Sequence, residues 1–221
     1  MAPRAGAGWG ERMIVAAGVG VSVDGAVLLP PTSLRLQAGR TAVVRGRNGT
    51  GKSTLLRVLA GLLKPSTGSI EVAGMVPRST RKEFRAAVAG MIGTIPLAPD
   101  LTMREHLLMV ARTWSEDPAT AAGDTAATLE ALGLGALADR FPHELSSGQI
   151  QLFSLALTTI RPCRLLLLDE PEQRLDDEHL ELVCDLLAAR RDAGVGLVIA
   201  THSPVLAERL ADQVLEPGAV A

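Results

Sequence analysis

The sequence has no excess of charge of either sign. Its 22 basic and 24 acidic residues leave a formal charge of -2, so it lacks the broad basic field that draws proteins onto nucleic acids through counterion release. We therefore expect no nucleic acid among its partners. At 221 residues the chain is long enough for one α/β domain with a helical insertion, but two domains of ordinary size would be crowded.

Cysteine, tyrosine and long apolar runs are also scarce. The sequence has two cysteines, Cys163 and Cys184, and no tyrosine. The cysteines lack the C-x-x-C spacing of metal sites, so we predict two reduced thiols in or near a core, with no metal role. No run reaches the roughly 18 uninterrupted apolar residues that a membrane-spanning helix needs. Any membrane role is therefore expected to come through a partner.

The beginning of the chain differs in composition from the rest. Residues 1–12 are rich in glycine, alanine and arginine, and we predict a disordered leader there, with Met13 as an alternative natural start to Met1. The apolar run from Met13 to Val23 imitates the hydrophobic region of a signal peptide. Because glycine and serine interrupt it and no convincing cleavage site follows, we interpret it as a strand pair at the start of one domain over residues 13–221.

A glycine-rich motif of the form G-x-x-x-x-G-K-[ST] stands between a predicted strand, Thr41 to Arg45, and a predicted helix, Ser53 to Leu63. A glycine-rich turn that fits the motif by chance is the alternative, but the strand and helix argue against it. In such a loop, backbone N–H groups close around phosphate oxygens. We predict a nucleoside-triphosphate site at Gly46, Arg47, Asn48, Gly49, Thr50, Gly51, Lys52, Ser53 and Thr54. Lys52 would reach the β- and γ-phosphates, and Ser53 would bind Mg²⁺.

Strand and turn signals surround this motif. The predicted turns of residues 13–45 lie at Asp24-Gly25, Pro30-Pro31 and Ala38-Gly39. The helix after the motif should end near Pro65, and Met91 to Ile95 should form a strand. Residues of about 98–160 then turn helical, with the capping-box pair Thr102 and Glu105. We predict a helical subdomain inserted into an α/β core.

Two adjacent carboxylates follow a run of leucines. Leu165 to Leu168 is typical of a parallel strand buried on both faces, and Asp169 and Glu170 come directly after it. Open α/β sheets bind ligands at the carboxyl ends of their strands. Asp169 would hold Mg²⁺, usually through water, while Glu170 would orient or deprotonate the attacking water. The alternative interpretation is an ordinary acidic turn at a strand end.

A serine-headed helix precedes this strand, at Leu145-Ser146-Ser147-Gly148-Gln149. Ser146 or Ser147 would cap the helix, whose free N–H groups attract anions; alone, the pentapeptide indicates no more than a serine cap. The order of motifs, however, is similar to that of ATP-binding cassette (ABC) ATPases across residues 13–216. That order is the glycine-rich loop, the pentapeptide, Asp169-Glu170-Pro171, Leu175-Asp176, and Thr201-His202.

The resemblance implies a P-loop NTPase core of the α/β class with a β-rich N-terminal subdomain and the inserted helical subdomain. It also implies ATP and Mg²⁺ as cofactors and catalysis by Lys52, Glu170 and the switch histidine, His202. The signature residues that would close over the γ-phosphate of a second cassette, in a head-to-tail dimer, are Ser146, Ser147, Gly148 and Gln149. The implied partner is an integral membrane transporter subunit, which would hold the chain at the cytoplasmic face of the membrane and would determine the substrate.

Several positions depart from the family pattern. Val23 stands where the family stacks adenine on an aromatic side chain, so we expect a weaker adenine grip and relaxed base preference; base stacking on an aromatic is worth about 1–3 kcal/mol. Leu97 stands where a glutamine binds Mg²⁺ and links the site to the membrane partner, so we expect slow hydrolysis or a Mg²⁺ shell completed by water. Ser147 replaces a commoner glycine, and the segment 172–174 replaces smaller polar residues.

Two other functions remain open at this stage. One is a non-transport ABC ATPase that acts in DNA maintenance or on ribosomes, although such proteins usually carry a long coiled-coil insertion or two tandem cassettes. The other is a weakly hydrolytic partner in an asymmetric cassette heterodimer, which Val23 and Leu97 favour and the presence of Lys52, Glu170 and His202 disfavours. The leading interpretation is the ATP-hydrolysing subunit of a membrane transporter.

Overall fold

The computed structural model describes residues 12–218, and within that range it contains two sheets, seven α-helices and two short 3-10 helices, Gly135–Leu137 and Pro142–Glu144. The strands are β1 (Arg12–Val23), β2 (Ala26–Gln37), β3 (Thr41–Val44), β4 (Thr67–Val72), β5 (Val88–Met91), β6 (Leu165–Asp169), β7 (Gly196–Ala200) and β8 (Gln213–Leu215). The helices are α1 (Lys52–Leu59), α2 (Lys82–Ala87), α3 (Met103–Arg112), α4 (Pro118–Ala131), α5 (Ser147–Thr159), α6 (Asp177–Asp192) and α7 (Pro204–Leu210).

Five strands form a parallel sheet in the order β5-β6-β7-β3-β8. Strands β3 and β7 are buried along their whole length, and so is β6 up to Leu168, which is the pattern of strands covered by helices on both faces. Because neighbouring parallel strands end at the same edge, the loops after β3, β6 and β7 meet there. This edge carries the glycine-rich loop, Asp169-Glu170 and Thr201-His202.

The antiparallel sheet has the order β2-β1-β4. The predicted turn at Asp24-Gly25 joins β1 to β2, with left-handed φ values of 50° and 81°, as a tight hairpin of this kind requires. The prediction of a turn at Pro30-Pro31 is wrong, since both prolines lie inside β2. Strand β2 is an edge strand with register shifts against β1, and edges and bulges are where a strand tolerates proline.

Three predicted element bounds are corrected. The helix α1 ends at Leu59 rather than near Pro65, because Gly61 turns left-handed (φ 66°) and the backbone N–H of Leu62 bonds back to the carbonyl of Arg57 at 2.9 Å. The predicted strand Met91 to Ile95 is β5, Val88–Met91, and the chain leaves the sheet before Gly93 (φ 79°). The predicted strand pair from Met13 to Val23 is one continuous strand, β1.

The helices α3, α4 and α5 follow one another between β5 and β6 and pack together, as expected for a helical insertion into an α/β core. The capping box is present: the Thr102 hydroxyl accepts from the backbone N–H of Glu105, whose carboxylate accepts from the backbone N–H of Thr102. Within residues 12–218 no helix has the length and apolar character needed to cross a bilayer. The predicted leader and the choice of start lie outside the described residues, except that Arg12 already belongs to β1.

Candidate functional site

The glycine-rich loop leads from β3 into the N-terminus of α1. Gly51 adopts φ 100°, and a side chain there would place its Cβ 2.8 Å from the carbonyl oxygen of Leu28, so only glycine fits without strain. No side chain caps α1, and its first turn contains no acidic residue. The N–H groups at this helix end therefore remain available to an anion.

Lys52 extends back over the loop. Its side chain is almost fully buried, and its ammonium donates to the carbonyl oxygens of Gly46 (2.8 Å) and Arg47 (3.4 Å). The same ammonium lies 3.0 Å from His202 Nε2. Because an ammonium can only donate, His202 Nε2 is the acceptor in this arrangement. The glycine-rich loop and the loop after β7 are thus joined by one positive charge.

Glu170 completes a three-residue cluster with Lys52 and His202. Its Oε1 lies 3.4 Å from His202 Nε2, and its backbone is left-handed, with φ 48°. Two hydrogen bonds hold this conformation: the Glu170 N–H donates to the Ala200 carbonyl (2.8 Å), and the Gln151 amide donates to the Glu170 carbonyl (2.9 Å). Residues of β7 and of α5 therefore hold the backbone of Glu170 and, through it, the direction of the carboxylate.

These groups share a cleft of about 620 Å³. The predicted site residues that line it are Asn48, Ser53, Asp169, Glu170 and His202. The other lining residues are Met91, Gly93, Thr94, Ile95, Ile150, Gln151, Ser154, Gln173 and Arg174. Lys52 adjoins the cleft through His202. A groove of similar volume at Arg12 and Arg40 contains no predicted site residue, so the chemistry is concentrated in the first cleft.

The pentapeptide Leu145 to Gln149 forms the start of α5. Ser146, rather than Ser147, is the cap: its hydroxyl accepts from the Gln149 N–H (3.2 Å), and the Gln149 side chain accepts from the Ser146 N–H (2.9 Å). Both serines are exposed. A Cβ at Gly148 would lie 2.8 Å from the Arg174 carbonyl oxygen, so a glycine there lets the segment after β6 pass close to the helix.

The cleft does not bring all predicted site residues together. The residues that line it include none of the predicted signature positions 146–149, although Ile150, Gln151 and Ser154 of the same helix do line it. Of the predicted loop 46–54, Asn48 and Ser53 are the two positions among its lining residues. The predicted signature positions thus lie outside this cleft of their own chain. Gln151 was missed in the sequence analysis, and its only signal there was its place one turn after the cap.

The sequence singles out Glu172 only as part of the unusual segment 172–174. Its Oε1 accepts hydrogen bonds from the Thr201 hydroxyl and from the backbone N–H groups of His202 (3.1 Å) and Ser203 (3.2 Å). The sequence signal was a carboxylate where smaller polar residues were expected. Nothing in the sequence indicated that it faces the loop after β7.

Two of the departures from the family pattern, Val23 and Leu97, occupy different surroundings. Val23 ends β1 with its side chain about half exposed, and Val27 and Leu28 of the same hairpin are also exposed. Leu97 packs against the hydrophobic core beneath the helical subdomain and does not line the nucleotide cleft. Its aliphatic side chain is accounted for by this packing, and the predicted effects of both residues on nucleotide binding and turnover stay predictions.

Three comparisons bear on this arrangement. The family model of ABC transporters matches residues 29–173. The phosphate import ATP-binding protein PstB 2 of Natronomonas pharaonis is 32% identical over 93% of this chain and 76% of its own length. The lipoprotein-releasing system ATP-binding protein LolD of Xanthomonas euvesicatoria pv. vesicatoria is 35% identical over 83% of this chain and 77% of its own.

Among solved structures, the fold is similar to that of the ATP-binding cassette MJ0796, determined as a dimer in a post-hydrolysis state bound to ADP and Pi. The TM-score is 0.82 at 21% identity, over 94% of this chain and 96% of the other. The match of the family model and the identity to its curated relatives agree with the motif order and with the cleft. The chain therefore belongs to the ABC transporter family, as an ATP-binding and ATP-hydrolysing cassette.

Proposed function

We propose that this chain is the cytoplasmic ATPase subunit of a membrane transporter and that it works as a head-to-tail pair of cassettes. The observation that carries the proposal is the division of the phosphate-binding groups. One cleft is lined by Asp169, Glu170 and His202 together with Asn48 and Ser53 of the glycine-rich loop, whereas the exposed serine end of α5 does not line it. A second copy can supply that end, and the paired cassette MJ0796 has the same fold.

In the proposed site each residue has a separate task. The N–H groups of the loop and of α1 bind the β- and γ-phosphates, and the Lys52 ammonium moves from the Gly46 carbonyl onto them. That move frees His202, which donates to the γ-phosphate in the tautomer that carries a proton on Nε2. Glu170 orients the attacking water or accepts its proton. Positioning and charge supply most of the catalysis in phosphoryl transfer.

The residues present fit a Mg²⁺ ion bound with the nucleotide. Ser53 and Asp169 both line the cleft, and a hydroxyl and a carboxylate are hard oxygen donors of the kind Mg²⁺ takes, one or two at a time, beside phosphates and water. When bound, the ion would neutralise phosphate charge. In residues 12–218 no group of three or more His, Cys, Asp or Glu side chains is arranged to hold a metal.

A second groove supports docking of a membrane subunit. It has a volume of about 380 Å³, and its lining includes Met109 and Trp114, both exposed, with the Arg161 guanidinium 4.6 Å from the centroid of the Trp114 ring. Ile95 lines both this groove and the nucleotide cleft. Because one short segment touches both, a partner seated in the groove would be mechanically joined to the site.

The decisive experiment traps the pair. Glu170→Gln should keep nucleotide binding while slowing hydrolysis, so light scattering after gel filtration should find a dimer with Mg-ATP and a monomer with ADP. Lys52→Ala should remain monomeric with both nucleotides. When Ser147→Arg is combined with Glu170→Gln, the protein should still bind ATP but should remain a monomer, because the long arginine side chain would occupy the exposed serine end of α5. Glu83→Gln, on the distant and exposed face of α2, is the matched control and should pair when combined with Glu170→Gln.

Two results would separate the proposal from its alternatives. If Glu170→Gln stays monomeric alone but pairs with a second, different cassette, the heterodimer interpretation replaces the homodimer. If Ser147→Arg pairs as well as the control, the serine end of α5 does not contact the partner's nucleotide, and the head-to-tail arrangement is wrong. Turnover of the wild type with and without a candidate membrane subunit then tests transport coupling directly.

A further inference from the structure

Glu172 binds the loop that carries His202, although it is not itself a lining residue of the nucleotide cleft. One oxygen, Oε1, accepts three hydrogen bonds: from the Thr201 hydroxyl and from the backbone N–H groups of His202 (3.1 Å) and Ser203 (3.2 Å). Thr201 is fully buried, and its hydroxyl also accepts from the Ser203 N–H at 2.8 Å. Three consecutive residues of the turn after β7 thus donate hydrogen bonds to one carboxylate oxygen.

We propose that Glu172 is a positioning residue that sets the height and direction of His202 over the γ-phosphate; this rests on the function proposed above. The carboxylate acts from outside the nucleotide cleft, since it is not among the residues that line it. It fixes the backbone of His202, and the backbone fixes where Nε2 lies between Lys52 (3.0 Å) and Glu170 (3.4 Å).

The strength of this hold follows from the charge of the acceptor. Hydrogen bonds to an ionised carboxylate are about twice as strong as neutral ones, and three of them converge on one oxygen. The other oxygen, Oε2, is buried and has no hydrogen-bond partner among the described residues, so the side chain gains its compensation for burial from the His202 loop alone. A smaller polar side chain could not make these contacts from the same backbone position.

A second consequence concerns the chain segment on which Glu172 stands. Glu172 follows Glu170 by two residues, and it precedes Arg174, whose carbonyl oxygen would lie 2.8 Å from a Cβ placed at Gly148 of the signature helix. The bonds of Glu172 therefore tie the switch histidine to the segment that connects the catalytic carboxylate with the signature helix. Movement of that segment on pairing would move His202 with it.

The test separates positioning from simple stabilisation. We expect Glu172→Ala to lower kcat about 10- to 100-fold, the range typical of partners that orient a functional side chain, with the KM for ATP changed less than about threefold, because the phosphate-binding loop is intact. Glu172→Gln keeps an oxygen acceptor and should recover part of kcat. Glu208→Ala, which removes an exposed carboxylate from α7 just after the loop, is the matched control and should leave kcat unchanged.

A double-mutant comparison with His202→Ala gives the second readout. If Glu172 acts through His202, adding Glu172→Ala to His202→Ala should lower kcat no further. Equal losses in both backgrounds would overturn the proposal, and so would a Glu172→Ala protein with wild-type kcat. Melting temperatures of all variants establish that the comparison is made on folded protein.

An assay without turnover keeps this test distinct from that of the proposed function. The chain has four histidines, so the ring resonances of His202 can be assigned in a ¹H–¹³C NMR spectrum by their loss in His202→Ala. Adding a non-hydrolysable ATP analogue with Mg²⁺ should shift the His202 resonance in the wild type and in Glu208→Ala, but should shift it much less in Glu172→Ala. An equal shift in Glu172→Ala would contradict the positioning role even if hydrolysis and pairing behave as proposed.

Discussion

The backbone of Glu170 leads to a prediction about stability that is independent of catalysis. Glu170 adopts φ 48°, a left-handed conformation that costs a side-chain-bearing residue about 1–2 kcal/mol. The comparison of Glu170→Gly with Glu170→Ala isolates this strain, because both variants lack the carboxylate and differ only by the Cβ atom. The hydrogen bonds of the Glu170 backbone N–H and carbonyl are available to both.

The expected magnitude follows from two opposing terms. Glycine removes the strain of about 1–2 kcal/mol, but its greater freedom in the unfolded chain costs about 0.5–1 kcal/mol. At the midpoints of these two ranges the net advantage of Glu170→Gly over Glu170→Ala is about 0.75 kcal/mol, and 1 kcal/mol corresponds to about 2–4 °C in a domain of this size. We expect Glu170→Gly to melt about 1–4 °C above Glu170→Ala, with both variants lacking measurable hydrolysis.

Thermal unfolding followed by circular dichroism, without nucleotide, measures this difference. The matched control is Ala126→Gly, at an exposed position inside α4, where glycine should lower the free energy of unfolding by about 0.5–1 kcal/mol. If Glu170→Gly melts at or below Glu170→Ala while the control behaves as stated, Glu170 is not strained. Its left-handed backbone would then be a relaxed conformation of this turn that costs the folded state no free energy.

Three further predictions concern the cap, the metal shell and pH. Ser146→Ala removes the hydroxyl that accepts from the Gln149 N–H and should lower the free energy of unfolding by about 1 kcal/mol in urea titration; an unchanged midpoint would mean that the cap contributes nothing. Leu97→Gln supplies the amide oxygen that binds Mg²⁺ in the family pattern, and we expect faster Mg²⁺-dependent turnover; equal turnover would show that this position does not limit hydrolysis. A hydrogen bond from the backbone N–H of His179, together with a second one from its ring, lowers the pKa of the Asp176 carboxyl. The charge of Asp176 therefore stabilises the folded protein at any pH above the ordinary aspartate pKa of about 4. This stabilisation is lost as the pH falls through the lower pKa of the folded state. Asp176→Asn should therefore unfold at less urea than the wild type at about pH 7, the gap should narrow as the pH falls below the ordinary aspartate value of about 4, and a gap independent of pH would contradict the electrostatic cause.

Local patterns in the sequence were reliable where neighbouring residues supply the physics. The capping box of Thr102 and Glu105, the hairpin turn at Asp24-Gly25 and the buried strand β6 each depend on residues within a few positions, and each is present. The prediction of a turn at Pro30-Pro31 is wrong because proline interrupts a strand only where the sheet needs a backbone N–H donor, which proline lacks. On the edge strand β2 that group has no partner to lose.

By itself, the sequence determined the kinds of chemistry available: a glycine loop that admits phosphate, a lysine behind it, a carboxylate pair at a strand end and a serine-headed helix. Only the tertiary structure decided which of these meet. The order β6-β7-β3 in the sheet brings the Lys52 ammonium to 3.0 Å and the Glu170 carboxylate to 3.4 Å from His202 Nε2. It also directs Glu172 to the loop after β7 and leaves the serine end of α5 outside the cleft. These contacts join residues far apart in the chain, and their geometry is set by strand order and register, which no short stretch of sequence contains.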